Sequence, residues 1–236
     1  MSDERHFERW LREGAREEGD PIPAATVVLV REAADGIETL MLKKNSKLAF
    51  GGMWVFPGGR IDDADRVGAP DIETAARRAA VREAAEETAL VVAEGSLAFI
   101  SHWTPPGMAP KRFATWFFVA PAPEGAVSID MGEIHEEAWM RPADAIARRD
   151  ALEIELAPPT WMTLHYLAEF ATLDSLMSDA HAREPQFFQT HMGKGSAGLA
   201  ALWQGDAGYE SGDLDAPGTR HRLWMRHEGW LLERSG

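Results

Sequence analysis

The sequence has no cysteine among its 236 residues. This absence excludes disulfides, thiolate zinc sites, iron–sulfur clusters and cysteine nucleophiles, because each of them needs a cysteine sulfur. Long apolar runs are also lacking, since a charge-free stretch such as Ala157–Ala168 falls far short of the roughly 20 apolar residues of a membrane-spanning helix. Residues 1–10 carry five charged side chains and no apolar core, so we expect no signal peptide. We therefore expect a cytoplasmic protein without membrane contact.

Positive charge is scarce, with 24 Lys and Arg residues against 38 Asp and Glu residues and a net charge of −14. Such a chain would repel phosphate backbones and anionic lipid, so we expect neither nucleic acid nor a membrane as its partner. The remaining composition, 45% hydrophobic and 26% charged residues, is typical of a globular protein. The length allows one large domain or a domain with an extension.

Short apolar runs separated by turn residues predict a protein that mixes strands and helices. The β-branched run Thr26–Val30, a turn at Ala34–Gly36 and the run Thr39–Leu42 are typical of a β-hairpin. An alanine-rich stretch from Asp71 to Leu90 predicts a helix with Asp71 as its N-cap. Further strands are expected at Trp54–Phe56, Leu97–Trp103 and Phe113–Ala120.

Both ends of the chain are predicted to add elements to this core. Residues 3–19 have the apolar spacing of a short helix, and the pattern from Thr160 to about His181 predicts one long helix. The glycine-rich segment Gly193–Gly218 is typical of a loop, and the apolar runs around Glu228-Gly229 predict a β-hairpin. The chain is thereby divided into an N-terminal helix at 1–20, a main domain at 21–157 and a C-terminal extension at 158–236.

Three glutamates of the predicted helix stand out, in the segment Arg82-Glu83-Ala84-Ala85-Glu86-Glu87. At about 100° per residue, Glu83, Glu86 and Glu87 fall within one arc of the helix surface. Carboxylates this close repel one another, and a divalent cation that prefers oxygen ligands, Mg²⁺ or Mn²⁺, would neutralise them. The carbonyl of Gly59 would add a further oxygen ligand. A solvated acidic helix face is the alternative explanation.

A second motif precedes these residues, Gly52-Met-Trp-Val-Phe-Pro-Gly-Gly59. Together the two segments resemble the Nudix hydrolases, the MutT-like pyrophosphohydrolases, whose box reads G-x5-E-x7-R-E-U-x-E-E-x-G-U with U aliphatic. The resemblance covers about residues 21–150 and implies an α+β fold, an α/β/α sandwich with a mixed sheet, which here continues into a C-terminal helix and hairpin. It also implies that Glu83, Glu86 and Glu87 bind divalent metal ions and that Arg82 orients them. Glu83, Glu86 and Arg82 are the expected catalytic residues, and the identity of the general base stays open.

Two features depart from the family box. Arg82 follows Gly59 by 23 residues instead of 14, so nine residues are inserted, and Thr74 stands where the box has its first acidic residue, with Glu73 beside it. Ala89 replaces the terminal glycine, and a left-handed helix end there would cost a non-glycine residue about 1–2 kcal/mol. Three aspartates of the insertion are typical of turns or would support a second metal ion: Asp62, Asp63 and Asp65.

The split box resembles one branch of the family, the peroxisomal coenzyme A diphosphatase-like proteins and their bacterial relatives. Further matches are Trp103-Thr-Pro105 with Arg112–Thr115, Leu156–Thr160 and Arg220–Leu223. The resemblance implies a metal-dependent hydrolase of a nucleoside diphosphate-X substrate, with coenzyme A or acyl-coenzyme A as the favoured X. The alternatives are hydrolysis of ADP-ribose, a dinucleotide or a nucleoside triphosphate, or a non-catalytic module that binds a nucleotide.

Candidate substrate-binding residues flank these motifs. Lys43, Lys44 and Lys47 would meet substrate phosphates, although lysines at a strand end also serve solubility, and Arg112 has the same two readings. Trp103 would stack on an adenine in the family context or lie in the core.

One acidic residue outside the helix also belongs to the expected site. Glu133, six residues before Trp139, resembles the acidic residue that precedes the Trp of many Nudix domains, and would act in catalysis as a base or a further metal contact. The expected partner is a small nucleotide diphosphate. The oligomeric state stays open, a homodimer included.

Overall fold

The computed structural model describes residues 20–45, 52–107, 109, 112–195, 198–226 and 229–235, so the helix predicted for residues 3–19 lies outside the described part. The strands are β1 (Ile22–Ala33), β2 (Gly36–Lys44), β3 (Trp54–Val55), β4 (Gly58–Arg60), β5 (Ala98–Thr104), β6 (Phe113–Pro121), β7 (Ile134–Met140), β8 (Gln186–Gln189), β9 (His191–Gly195), β10 (Gly198–Leu202), β11 (His221–Arg226) and β12 (Gly229–Arg234). The helices are α1 (Asp63–Arg66), α2 (Ile72–Thr88), α3 (Pro142–Asp150), α4 (Pro158–Leu167) and α5 (Leu173–Ala182). None of these helices is both long and apolar enough to cross a membrane.

The chain forms two compact units, and the first consists of residues 22–102 and 115–186. Its mixed sheet has the order β3-β2-β1-β6-β5, with β4 paired to β1 and β7 paired to β2. The predicted hairpin is present, since β1 pairs with β2 in an antiparallel register that brings Val30 opposite Thr39. Successive residues of β1, such as Val27 and Val28, are fully buried although their side chains point to opposite faces. Both faces of the sheet are therefore covered, which confirms the predicted α+β architecture.

Helix α2 carries the glutamates predicted to form the site, and its alanines fix where they lie. Asp71 caps the helix as predicted, because its side chain accepts a hydrogen bond of 2.8 Å from the Thr74 N–H. A row of buried alanines of α2 packs with residues of β1 in one hydrophobic core: Ala75, Ala76, Ala79, Ala80 and Ala84. Because methyl side chains are small, they let the helix axis approach the sheet closely.

Ala89 ends α2 in the left-handed conformation, with φ 60° and ψ 11°. Since a non-glycine residue is strained there, we expect Ala89→Gly to raise the free energy of unfolding by about 1 kcal/mol. The matched control is Ala85→Gly, inside the same helix, which should lower it by about 1 kcal/mol. Urea denaturation of both variants measures the two effects. A destabilising Ala89→Gly would contradict the left-handed helix end.

The single long helix predicted from Thr160 to His181 is wrong, because two helices, α4 and α5, occupy this segment. After α4 the N–H groups of Glu169 and Phe170 donate to carbonyls three residues back, which tightens the last turn and ends the helix. Thr172 then caps α5 by accepting a 3.2 Å hydrogen bond from the Ser175 N–H. Apolar spacing continues through the break, so periodicity alone did not reveal it.

The second unit consists of the described residues within 103–114 and 187–235, together with residues 20 and 21. Four antiparallel strands form its sheet in the order β12-β11-β10-β9. The hairpin predicted around Glu228-Gly229 is present as β11 and β12, whereas the loop predicted for Gly193–Gly218 is wrong in its first part, where β9 ends and β10 lies. Gly193 serves close packing instead of a turn, since a Cβ at this position would lie 2.4 Å from a methyl group of Leu214.

A buried ion pair organises the loop between β10 and β11. Arg222 donates to both carboxylate oxygens of Asp206, from Nε at 2.8 Å and from a terminal nitrogen at 2.6 Å. Its other terminal nitrogen donates to the Leu214 carbonyl at 2.7 Å. The N–H groups of Gly208 and His221 complete the shell of Asp206, each at 2.8 Å. Each guanidinium nitrogen of Arg222 and each carboxylate oxygen of Asp206 thus has a hydrogen-bond partner within the protein.

Candidate active site

The three glutamates of α2 differ sharply in exposure. The Glu87 side chain is 4% exposed, that of Glu83 is 15% exposed and that of Glu86 is 59% exposed. They lie within one arc of α2, as the sequence predicted, and Glu83 and Glu87 continue the side of the alanine row, four residues after Ala79 and three after Ala84. The helix therefore presents one carboxylate to solvent and holds two others in a partly dry environment.

The Pro-Gly-Gly segment lies directly against these carboxylates. The Gly58 N–H donates to Glu87 Oε2 at 3.0 Å. A Cβ on Gly58 would lie 2.4 Å from the Ala25 carbonyl oxygen, and one on Gly59 would lie 2.3 Å from the Glu83 carboxyl group. Gly58 thus requires glycine because it lies against the backbone of β1, whereas a Cβ on Gly59 would displace the Glu83 carboxylate. The backbone of β4 at Gly58 and Gly59 and the carboxylates of Glu87 and Glu83 therefore lie next to each other.

Lys44, at the end of β2, contacts the most buried of the three glutamates. Its Nζ makes a short hydrogen bond to Glu87 Oε1 and lies 3.4 Å from Glu133 Oε2. The register of β2 with β7 shifts between Lys43 and Lys44, a bulge that re-aims side chains. Lys43 instead lies at the surface, where it contacts Glu136 at 3.4 Å. The two lysines predicted as equivalent phosphate ligands therefore have different environments, and Lys47 lies outside the described residues.

Glu133 is brought to the cluster by backbone hydrogen bonds of its loop. The Asp130 N–H donates to the Glu87 carbonyl at 3.2 Å, which ties the loop to the end of α2. The Asn45 N–H donates to the Glu133 carbonyl at 2.8 Å, which ties it to the end of β2. The Glu133 carboxylate remains largely exposed beside Lys44. Glu133 and Glu87, predicted from distant parts of the sequence, are thus linked through one lysine.

Arg82 joins the remaining carboxylates. One terminal nitrogen donates to Glu83 at 2.9 Å and to Glu86 at 3.1 Å, while the other donates to the Arg60 carbonyl at 2.9 Å. Asp65 receives two further bonds, from Nε at 3.2 Å and from the second terminal nitrogen at 2.9 Å. Arg82 therefore orients Glu83 and Glu86 against the loop that precedes the helix.

Asp65, which the sequence predicts to form a turn or to support a second metal ion, also contacts Arg82, and that contact was not predicted. It is buried, accepts the Asp62 N–H at 2.9 Å and holds Arg82 through both oxygens. The sequence signal for Asp65 is its distance from Gly59, because Gly59-x5-Asp65 has the spacing of the glycine and the first acidic residue in the box. The nine inserted residues thus lie between this acid and Arg82, and the acid itself is present.

Burial and charge shift the acidity of the cluster in opposite directions. Burial raises the pKa of Glu87 and of Glu83, and the nearby cations Lys44 and Arg82 offset only part of that rise. For Lys44, burial lowers the pKa, but the charges and hydrogen bonds of Glu87 and Glu133 together outweigh it, so its pKa is raised. For Asp65, burial raises the pKa, but the hydrogen bonds from Arg82 and the Asp62 N–H, together with the nearby arginine charges, outweigh it, so its pKa is lowered. The cluster therefore packs more negative charge than its cations neutralise.

The donor set of this cluster fits a divalent metal ion that prefers oxygen ligands. Carboxylates and a backbone carbonyl are the groups that Mg²⁺ and Mn²⁺ bind, and the absence of a side chain at Gly59 leaves room for the Glu83 carboxylate. Among the described residues no group of three acidic or histidine side chains is already arranged to hold a metal. The carboxylate oxygens of Glu83, Glu86 and Glu87 are instead hydrogen-bonded to Lys44, Arg82 and the Gly58 N–H.

Two predicted substrate-binding residues belong to the second unit, whereas the carboxylate cluster is formed by the first unit alone. Trp103 is buried and stacks on Phe188 with ring centroids 3.9 Å apart, so one face of its ring is already covered. Its edge contact with Trp203 makes it part of an aromatic core. Arg112 is half-buried in the same unit.

Comparison with known proteins places the cluster within a recognised domain. Residues 20–160 match the family model described as the NUDIX domain. No curated protein matches the sequence. A NUDIX hydrolase from Alicyclobacillus acidocaldarius superposes with a TM-score of 0.63 at 22% identity, over 68% of this chain and 97% of that chain. At this identity the likeness shows the fold.

Two further crystal structures are similar at a lower level. The NUDIX domain of Shewanella oneidensis NrtR in complex with ADP ribose has a TM-score of 0.48 at 20% identity, over 69% of this chain and 96% of that chain. A MutT NUDIX hydrolase from Burkholderia pseudomallei also has a TM-score of 0.48 at 20% identity, over 62% and 98%.

Proposed function

Because the chain belongs to the Nudix family of hydrolases, which cleave phosphorus-containing acid anhydrides, we propose that it hydrolyses the diphosphate linkage of a nucleoside diphosphate-X substrate. Nudix hydrolases generally use divalent metal ions, and Mg²⁺ or Mn²⁺ is the ion proposed here. One observation carries the proposal: Glu83, Glu86, Glu87 and the glycine pair lie together in the order and contacts that the box requires.

Glu83, Glu86, Glu87 and the Gly59 carbonyl would hold the metal. When bound, the ion would neutralise phosphate charge and lower the pKa of a coordinated water. Arg82 fixes the carboxylates of Glu83 and Glu86, so that neither has to be ordered when substrate arrives.

Glu133 is assigned the role of proton acceptor for the attacking water. Its carboxylate is exposed and lies outside the helix, and its loop is tied to the end of α2. Lys44 links it to Glu87, so proton transfer and the proposed metal site share one network.

Coenzyme A or acyl-coenzyme A is the favoured X, on the strength of the sequence matches to that branch. The matching segments have structural positions: Pro158 begins α4, and Arg222 is buried in the ion pair with Asp206. ADP-ribose, a dinucleotide and a nucleoside triphosphate are the alternative substrates.

A non-catalytic nucleotide-binding module is the other alternative, and the two departures from the box were its support. The fold accommodates both of them. Asp65 stands six residues after Gly59 and holds Arg82. Ala89 adopts the left-handed conformation that the box glycine would allow. Catalysis is therefore the better-supported function.

A substrate panel tests the choice of X. Coenzyme A, an acyl-coenzyme A, ADP-ribose, NADH, a diadenosine polyphosphate and a deoxynucleoside triphosphate are assayed with Mg²⁺ and with Mn²⁺. We expect kcat/KM for a coenzyme A species to exceed the others by at least tenfold, about 1.4 kcal/mol. Faster hydrolysis of ADP-ribose or a triphosphate would contradict the coenzyme A preference, but the proposal that the protein is a hydrolase would stand. No hydrolysis of any member would favour the binding module.

A further inference from the structure

Both carboxylate oxygens of Glu87 already have partners. Oε2 accepts the Gly58 N–H at 3.0 Å, and Oε1 accepts a hydrogen bond from Lys44 Nζ. The Gly58 N–H is part of the backbone that pairs with β1, so it is fixed. The lysine is different, because its ammonium ends a flexible four-carbon chain. Of the two partners of Glu87, Lys44 is the one that can leave.

The ammonium of Lys44 occupies the electrostatic position of a cation within the cluster. Its side chain is 13% exposed, and it contacts Glu87 and Glu133 but not Arg82 or the other helix glutamates. Lys43, the preceding residue, supplies the contrast: among the described residues it pairs with Glu136 at the surface and lies over the Trp54 ring. The strand end thus places one lysine in the carboxylate cluster and one outside it.

We propose that Lys44 is an internal counter-ion that competes with the divalent metal for Glu87 and so sets the metal concentration at which the enzyme becomes loaded. Without metal, the ammonium compensates the buried Glu87 carboxylate. The ammonium occupies one oxygen of that carboxylate and repels a metal ion at either oxygen, so its presence opposes loading. The inference rests on the proposed function, because it takes Glu87 as a metal ligand.

Direct metal binding tests this inference without any turnover. The free Mn²⁺ signal in electron paramagnetic resonance gives the Mn²⁺ dissociation constant of the full chain in the absence of substrate. Lys44→Met removes the charge and keeps most of the side-chain volume, so we expect it to bind Mn²⁺ about tenfold or more tightly than the wild type does. Lys43→Met is the matched control and should bind like the wild type.

A second variant and a stability measurement protect the test against misfolding. Lys44→Met leaves Glu87 without its counter-ion, so the thermal midpoint without metal should fall and added Mn²⁺ should raise it more than in the wild type. Lys44→Arg keeps the charge and should fold and bind Mn²⁺ within about threefold of the wild type. If Lys44→Met does not fold, tighter binding by Lys44→Gln than by Lys44→Arg supports the inference, and equal binding overturns it.

The remaining outcomes separate this inference from the proposed function. Equal or weaker Mn²⁺ binding by Lys44→Met, in a protein whose wild type binds Mn²⁺, would overturn the counter-ion role and leave the metal site intact. Absence of Mn²⁺ binding by the wild type would overturn both. Tightening in Lys43→Met as large as in Lys44→Met would also overturn the role of Lys44, because any nearby positive charge would then have the same effect.

Discussion

Glu86→Gln is expected to lower kcat by at least about a hundredfold while the protein keeps its fold. The variant removes one charge of the proposed metal site, and changes in the surroundings of a metal already cost about ten- to a hundredfold. Stability should change by less than about 1 kcal/mol, because Glu86 is the exposed member of the cluster and Arg82 keeps its bonds to Glu83 and Asp65. Steady-state rates at saturating metal and a thermal melt measure the two quantities.

Glu73→Gln provides the matched control for that variant. Glu73 lies in the first turn of the same helix, is partly exposed and pairs with Arg77 at 2.7 Å, away from the glycine pair. Its rate should equal that of the wild type. A Glu86→Gln protein that retains the wild-type rate, or a Glu73→Gln protein that loses as much, would show that the charge of the cluster does not drive turnover.

Asp206→Asn is expected to destabilise the second unit by about 3–5 kcal/mol. The substitution leaves the Arg222 guanidinium buried opposite a neutral group, and an uncompensated buried charge has a cost of this size. Urea denaturation followed by tryptophan fluorescence measures the loss, since Trp203 and Trp224 belong to this unit. Asp215→Asn, in an exposed position of the same loop, is the control and should change stability by less than about 0.5 kcal/mol.

The same ion pair makes a pH prediction. Burial alone would raise the pKa of Asp206, but hydrogen bonds from Arg222 and two backbone N–H groups lower it to about 2, from 3.8 in the unfolded chain. A carboxyl group with a lowered folded pKa stabilises the fold above its unfolded pKa and loses that contribution as the pH falls. The wild type should therefore lose stability between about pH 4 and pH 2, and Asp206→Asn should lose less over that range.

Local signals predicted most of the first unit. The β1–β2 hairpin, the cap of α2 at Asp71 and the glutamate spacing each depend on neighbouring residues, so a single sequence contains them. Long-range contacts were not predictable in this way. Lys44 meets Glu87 only because the β2–β7 register shifts beside it, and nothing in the lysine-rich segment distinguishes Lys44 from Lys43.

The errors of prediction have identifiable physical causes. Gly193 lies in a glycine-rich segment that predicts a loop, whereas in the sheet its missing side chain makes room for Leu214. The break between α4 and α5 depends on a cap at Thr172 that interrupts an otherwise continuous apolar pattern. Strand β7 is not evident from the sequence because three of its seven residues are polar or charged and only two are buried. For Gly193 and β7 tertiary packing overrode the local pattern, whereas the cap at Thr172 is itself a local contact.

The central claim is that the helix carboxylates of this Nudix hydrolase hold a catalytic divalent metal, and the most direct test is the metal dependence of cleavage. The preferred substrate of the panel is incubated with the wild type after treatment with EDTA, and then after excess Mg²⁺ or Mn²⁺ is restored. In the wild type we expect cleavage to fall to background with the chelator and to return with the metal. In Glu86→Gln we expect that added metal does not restore cleavage. Cleavage that persists in EDTA, or that returns equally in Glu86→Gln, would contradict it.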